Sequence, residues 1–155
     1  MTLYNRIMKL TINTHERHTE TEIIVNCRKV NEDIEKLLAT IRMLDMKLTG
    51  KKDGQQFFID VSQITYIEST DKRTFLYTST DVYENTFRLI ELEEKLAKLD
   101  FLRASKNCLF NINYVHSLKS DLEQRLILTM ERDIKIIVSR QYSGTVKEKL
   151  EEYHG

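Results

Sequence analysis

Between residues 101 and 115 the chain reads F-L-R-A-S-K-N-C-L-F-N-I-N-Y-V, a close run of directional polar groups set among apolar ones. Phe101, Leu102, Leu109, Phe110, Ile112 and Val115 can anchor the segment, while Arg103, Ser105, Lys106, Asn107, Asn111 and Asn113 stand between the anchors. On a rigid loop such side chains suit the edges of nucleic-acid bases, because Arg or Lys pairs with guanine and Asn with adenine. The plainer reading is that Asn107 and Asn111 cap turns through side-chain to backbone hydrogen bonds, and composition alone favours it. Related chemistry recurs at V-S-R-Q-Y, residues 138–142. There an apolar strand ends with Ser139 and Arg140 at a helix start, where free backbone amides and a guanidinium can both meet a phosphate or a base.

Catalytic constellations are lacking. The sequence holds no Gly-rich phosphate loop, nucleophile elbow, C-x-x-C pair or H-E-x-x-H motif. His15 and His18 could share a metal on a helix, but they fall in a polar connection and read as solvent-exposed loop. Asp60 and Glu68 each end an apolar strand, the ordinary place for a solvated carboxylate. Cys108 lies in an apolar stretch with no His nearby in sequence, and buried thiols are usually inert packing residues. No enzymatic activity and no cofactor are expected.

The 155 residues carry 24 Lys and Arg against 24 Asp and Glu, with 41% hydrophobic residues and no Pro or Trp. A soluble globular chain of one domain, or of one domain with an appendage, fits these numbers. Cys27 and Cys108 match no metal or disulfide spacing, which suits a reducing, cytoplasmic setting. No apolar run nears the roughly 18 residues of a membrane span. Neutral total charge argues against a generic polyanion binder, yet residues 101–150 hold nine basic and five acidic side chains, a net of +4. An anionic partner should meet this part.

These groups need a scaffold, and the periodicities supply one. Residues 1–12 and 20–27 hold Ile, Val and Thr runs that read as a pair of strands. From Val30 to Leu48 apolar residues recur at three and four, which predicts a helix ended by Thr49 to Gly54. After Gly54 the period shortens toward two at 57–60, 64–70, 74–80 and 82–87, with tight polar turns at Asp71-Lys72 and Thr80-Asp81. Leu89, Leu92, Leu96 and Leu99 mark a mid-domain helix. A hairpin with a charged tip at Glu131 to Asp133 follows, and a final helix carries Tyr142, Val146, Leu150 and Tyr153 behind Ser139 as N-cap.

Taken in order, I-x-Y-I-E at 64–68, the strand pair, F-R-L-I-E-L-E-E-K-L at 87–96, F-L-R-A-S-x-N-C-L-F-N at 101–111 and I-V-S-R-x-Y at 137–142 resemble the LytTR DNA-binding domain of bacterial transcription regulators. The resemblance implies a mainly β, elongated antiparallel fold over residues 54–155, with one mid-domain and one C-terminal helix; the periodicities place a small β-β-α unit over 1–53 before it. It implies a sequence-specific transcriptional regulator that puts loops of a β scaffold into successive major grooves of double-stranded DNA, without a helix-turn-helix. Carried across by motif, the DNA-facing positions are Lys72 and Arg73 between strands, Lys106 and Asn107 in the 101–111 motif, and Arg140 after the last strand. Arg103 and Ser105 support these or touch the backbone, and Asn111 fixes a turn. Lys106 replaces what is often a shorter polar residue in the family, so it is as suited to a phosphate as to a base. The β-β-α unit is too short for the phosphoacceptor receiver domain that many members carry. It braces the sheet, senses a partner or forms a homodimer, the last of which would suit repeated promoter half-sites. The competing functional class is a non-catalytic β module that docks a protein through the helix at 30–48.

Overall fold

The structure, a computed structural model describing residues 8–154, divides into one unit that ends at Val30 and another that begins at Asn31. In the first, the described residues form neither helix nor strand. One turn is closed where the His18 N–H donates to the His15 carbonyl (3.0 Å) and the Arg17 N–H donates to His15 Nδ1 (3.0 Å). The expected strand pair is therefore absent from residues 8–12 and 20–27, and the remainder of its first strand lies outside the described residues. Burial explains the difference: every residue from 8 to 30 except Val25 is exposed, so the Ile and Val runs among them bury little apolar surface. An isolated pair of strands is marginal in water.

The second unit opens with α1 (Glu32–Asp45). The Asn31 side chain accepts from the Ile34 N–H (3.1 Å), and Glu32, Asp33 and Glu35 set negative charge on a first turn whose amides favour it. The helix stops at Asp45 instead of reaching Leu48, because Met46 turns extended and Leu48 enters the core from β1 (Lys47–Lys52). β1 pairs antiparallel with β2 (Gln55–Asp60) around Asp53 and Gly54, both at positive φ (50° and 74°). The division expected between residues 53 and 54 thus coincides with a hairpin tip. Gly50 is needed inside β1, since a Cβ there would lie 2.6 Å from Tyr83 Cβ and would also strike the Ile59 side chain.

Beyond it come β3 (Ile64–Thr70), β4 (Arg73–Thr78), β5 (Val82–Asn85), α2 (Leu89–Lys95), β6 (Phe101–Ser105), β7 (Cys108–Asn111), β8 (Val115–Ser120), β9 (Leu126–Met130), β10 (Lys135–Val138) and α3 (Arg140–His154). Seven strands form one sheet in the order β2-β1-β5-β4-β3-β7-β6, and β10-β9-β8 form a second. The fold is mainly antiparallel β, with α2 inside the domain and α3 at its end. Residues 101–115 are not a loop: β6 and β7 are a hairpin turned by Lys106 and Asn107.

Alternation along the central strands sends apolar side chains to both faces. Ile67, Leu76 and Leu109 join Met43 of α1 and Leu92 of α2 in one core. Cys108 and Phe110 join Leu128, Met130 and Val138 of the smaller sheet and Val146 and Leu150 of α3 in the other. The sheet is clamped from both sides, and among the described residues no buried side-chain nitrogen or oxygen lacks a hydrogen-bond partner. Such a scaffold holds its turns still.

Candidate nucleic-acid interface

Two hairpin tips and one helix start meet at a single end of the sheets. The first tip, between β3 and β4, turns through Asp71 and Lys72 at φ 51° and 63°, with Thr70 opposite Arg73. Successive positive φ values match the twist of the flanking strands and leave Lys72 exposed at the apex. The second tip lies beside it: β7 pairs with β3, and the Ser69 N–H donates to the Asn107 carbonyl (2.8 Å). Inside this tip the Asn107 N–H donates to Ser105 Oγ (3.2 Å), and Lys106 and Asn107 are exposed.

The helix start is joined by the same kind of bond. The Ser139 N–H donates to the Ala104 carbonyl (2.9 Å), which draws the beginning of α3 against β6. The Ser139 carbonyl in turn accepts from the Tyr142 and Ser143 N–H groups, each at 3.0 Å. Arg140 follows, exposed, with Nε donating to the Glu123 carbonyl (3.0 Å) in the loop between β8 and β9.

Of the residues expected to face DNA, Lys72, Lys106, Asn107 and Arg140 come together with exposed side chains, and two others are committed elsewhere. Arg103 is 15% exposed; its Nη1 donates to the Lys106 carbonyl (2.9 Å) and its Nε pairs with Glu93 of α2. It holds the second tip from behind. Arg73 forms a two-pronged pair with Glu84, Nε to Oε1 at 2.9 Å and Nη2 to Oε2 at 2.7 Å, and lies 5.2 Å from the centre of the Phe75 ring. Hydrogen bonding from Arg73 holds the Glu84 carboxyl below its ordinary range, and the same pairing raises Arg73. Ser105 is half-buried and serves its own turn.

Asn111 does what the plainer reading describes. It is fully buried, its Nδ2 donates to the Ile64 carbonyl (3.0 Å), and its Oδ1 accepts from the Asn113 N–H (3.0 Å). Burial pushes the Cys108 thiol up to about 12, so it stays protonated and unreactive as a core residue. The loop from Asp121 to Arg125, which contacts Arg140, carries one faint sequence signal: an Asp followed four residues later by an Arg able to close a side-chain turn. Among the described residues no group of three His, Cys, Asp or Glu side chains is placed to hold a metal ion. None of the described helices is long and apolar enough to cross a membrane.

The sequence pattern of the LytTr DNA-binding domain matches residues 54–151. The chain belongs to the LytTR DNA-binding domain family. A solved LytTr DNA-binding domain from Bacillus cereus is similar in fold, with a TM-score of 0.61 and 24% identity, over 67% of this chain and 94% of that one. An uncharacterized HTH-type transcriptional regulator of Staphylococcus aureus strain NCTC 8325 is 26% identical over 146 residues, which is 93% of this chain and 99% of the relative. A counterpart in the bovine strain RF122 is 24% identical over the same length. In this LytTR chain α1, α2 and α3 are separated by strands, so among the described residues no two helices follow one another across a short turn. The exposed end of its LytTR domain is built from β-hairpin tips and one helix start.

Proposed function

We propose that this chain is a non-catalytic, sequence-specific transcriptional regulator that sets the β3–β4 tip, the β6–β7 tip and the start of α3 into the major groove of double-stranded DNA. The observation that carries the reading is the gathering of Lys72, Lys106, Asn107 and Arg140, all exposed, at one end braced by the bonds Ser69 to Asn107 and Ser139 to Ala104. Arg140 pairs with a guanine edge and Asn107 with an adenine, while Lys72 and Lys106 neutralise phosphates. Arg103 and Ser105 keep the second tip in shape, and Arg73 reaches DNA only by giving up Glu84. Membership in a DNA-binding family and relatives named as transcriptional regulators support the same assignment. A cytoplasmic bacterial protein acting on repeated promoter half-sites fits this role, with the N-terminal segment joining two copies.

A protein-docking role through α1 has less to stand on. Ala39 and Met43 of that helix are buried, and Lys36 Nζ donates to the Glu152 and Tyr153 carbonyls of α3 (2.8 and 2.9 Å), so much of its surface is already engaged.

Selection of duplexes from a random library by the full chain tests the proposal. A defined site is expected, with binding that weakens steeply as salt rises because phosphate neutralisation releases counterions. Arg140→Ala should cost about 1–3 kcal/mol on that site and relax one base position. Recovery of no preferred sequence, or unchanged affinity and discrimination in a folded Arg140→Ala variant, refutes it.

A further inference from the structure

We infer that the β8–β9 loop, Asp121 to Arg125, is a positioning element that aims Arg140 and so sets base discrimination at one position of the bound site. The inference rests on the reading that Arg140 faces DNA. The Glu123 carbonyl accepts from Arg140 Nε at 3.0 Å. With Nε engaged, the two terminal nitrogens remain for the two acceptors of a guanine, O6 and N7, and the guanidinium plane is fixed before DNA arrives. An exposed arginine otherwise samples many rotamers, and ordering it on binding opposes affinity.

A carbonyl can orient a guanidinium only if it is itself held, and this one is held on several sides. Asp121 Oδ1 accepts from the Glu123 and Arg125 N–H groups, both at 2.9 Å, and Oδ2 accepts from Arg125 Nε at 2.9 Å. Arg125 Nη2 also lies 3.1 Å from Glu123 Oε2. The Asp121 N–H donates to the Arg125 carbonyl (2.9 Å), and Gln124 takes a positive φ of 63° to close the loop. Asp121 itself has no affinity for phosphate, being anionic, and its side chain is 17% exposed. A loss of DNA recognition on replacing it would therefore act through Arg140.

The test uses the full chain, a duplex it selects from a random library, single-base variants of that duplex, and a scrambled duplex. Asp121→Ala is expected to weaken binding to the selected duplex on the order of tenfold, to leave the scrambled duplex unchanged, and to flatten discrimination at the same base pair as Arg140→Ala. Asp121→Asn, which keeps the Oδ1 acceptor, restores most of the discrimination. Adding Asp121→Ala to Arg140→Ala changes nothing further. Arg125→Gln, which removes the ion pairs and leaves the backbone bonds, shifts the same base pair in the same direction. Intact discrimination in Asp121→Ala and Arg125→Gln, beside its loss in Arg140→Ala, overturns the inference while the DNA-facing reading survives. Losses that multiply in the double variant, or an equal loss on both duplexes, also overturn it. Arg140→Ala without effect on the selected duplex overturns the DNA-facing reading and the inference together.

Discussion

Arg103→Met separates a brace from a contact. Methionine retains an unbranched apolar stem, so the substitution removes the guanidinium donors and little packing. Those donors serve the Lys106 carbonyl at 2.9 Å and the Glu93 carboxylate. Charge-assisted bonds are worth about 1.5–3 kcal/mol each when both partners are dry. Here the acceptors can rehydrate, since Glu93 is 43% exposed and Lys106 is exposed. The combined cost should be about 1–2 kcal/mol, well short of breaking a fully buried pair. For a unit of this size the melting temperature should fall by roughly 4–8 °C. Denaturant unfolding with an unchanged m-value checks the stability half. DNA titration over a range of salt checks the other half. A brace lost from the β6–β7 tip lowers affinity but leaves the slope of log K against log salt unchanged, because no phosphate contact disappears. A slope smaller by about 0.9 with stability intact would make Arg103 a phosphate ligand and refute the reasoning. No change in either quantity would show that the tip stands without it.

Lys72→Gly should keep or slightly raise stability, by up to about 1 kcal/mol, because Lys72 sits at φ 63°, where glycine is at ease. The same change should weaken DNA binding and reduce the salt slope by about one phosphate, as read by parallel melting and binding titrations. Gly50→Ala should destabilise by about 1–3 kcal/mol, since the added methyl meets Tyr83 and Ile59; chemical denaturation with a wild-type-like stability would contradict the close packing assigned to β1. On the alkaline side stability should hold to about pH 8 and fall progressively toward pH 12. Burial raises Cys108, Tyr66 and Tyr153 to about 12, so the unfolded chain ionises first and each raised group withdraws its contribution as pH climbs through the folded value. Unfolding curves at stepped alkaline pH that fail to shift would dispose of this account.

The parts of the fold legible in the sequence are those whose residue types keep a steady two-residue or three-to-four-residue beat. β3, β4, β9, β10 and α3 alternate or recur cleanly, and their expected positions agree with the structure to within a residue or two, whereas α2 closes at Lys95 although its apolar spacing runs on to Leu99. β7 escapes because Cys108, Leu109, Phe110 and Asn111 are all buried, so it has no polar beat to count. β8 escapes for the opposite reason: V-H-S-L-K-S leaves four of its six residues exposed. β1 was hidden by Leu48, whose spacing continues the α1 stripe although its side chain enters the core from a strand. At the candidate interface residue type was readable, but availability was not. Nothing in the sequence shows that Arg103 is turned inward toward Glu93, that Arg73 is matched by Glu84, or that the loop after β8 reaches Arg140. Those pairings join separate elements and are made by how strands, helices and loops pack, not by local spacing.

The bonds from Ser69 to Asn107 and from Ser139 to Ala104 run between main chains, so among side-chain replacements only proline at Ser69 or Ser139 removes the donor N–H. The spacing between the two hairpin apices and the entry of α3 is consequently kept by main-chain bonds that other side-chain exchanges leave in place, while the chemistry at each apex is free to drift. An inserted or deleted residue in either turn would displace the neighbouring apex as well as its own. Divergence of target preference in chains of this architecture should accumulate as exchanges at Lys72, Lys106, Asn107 and Arg140 on turns of constant length, one base pair at a time.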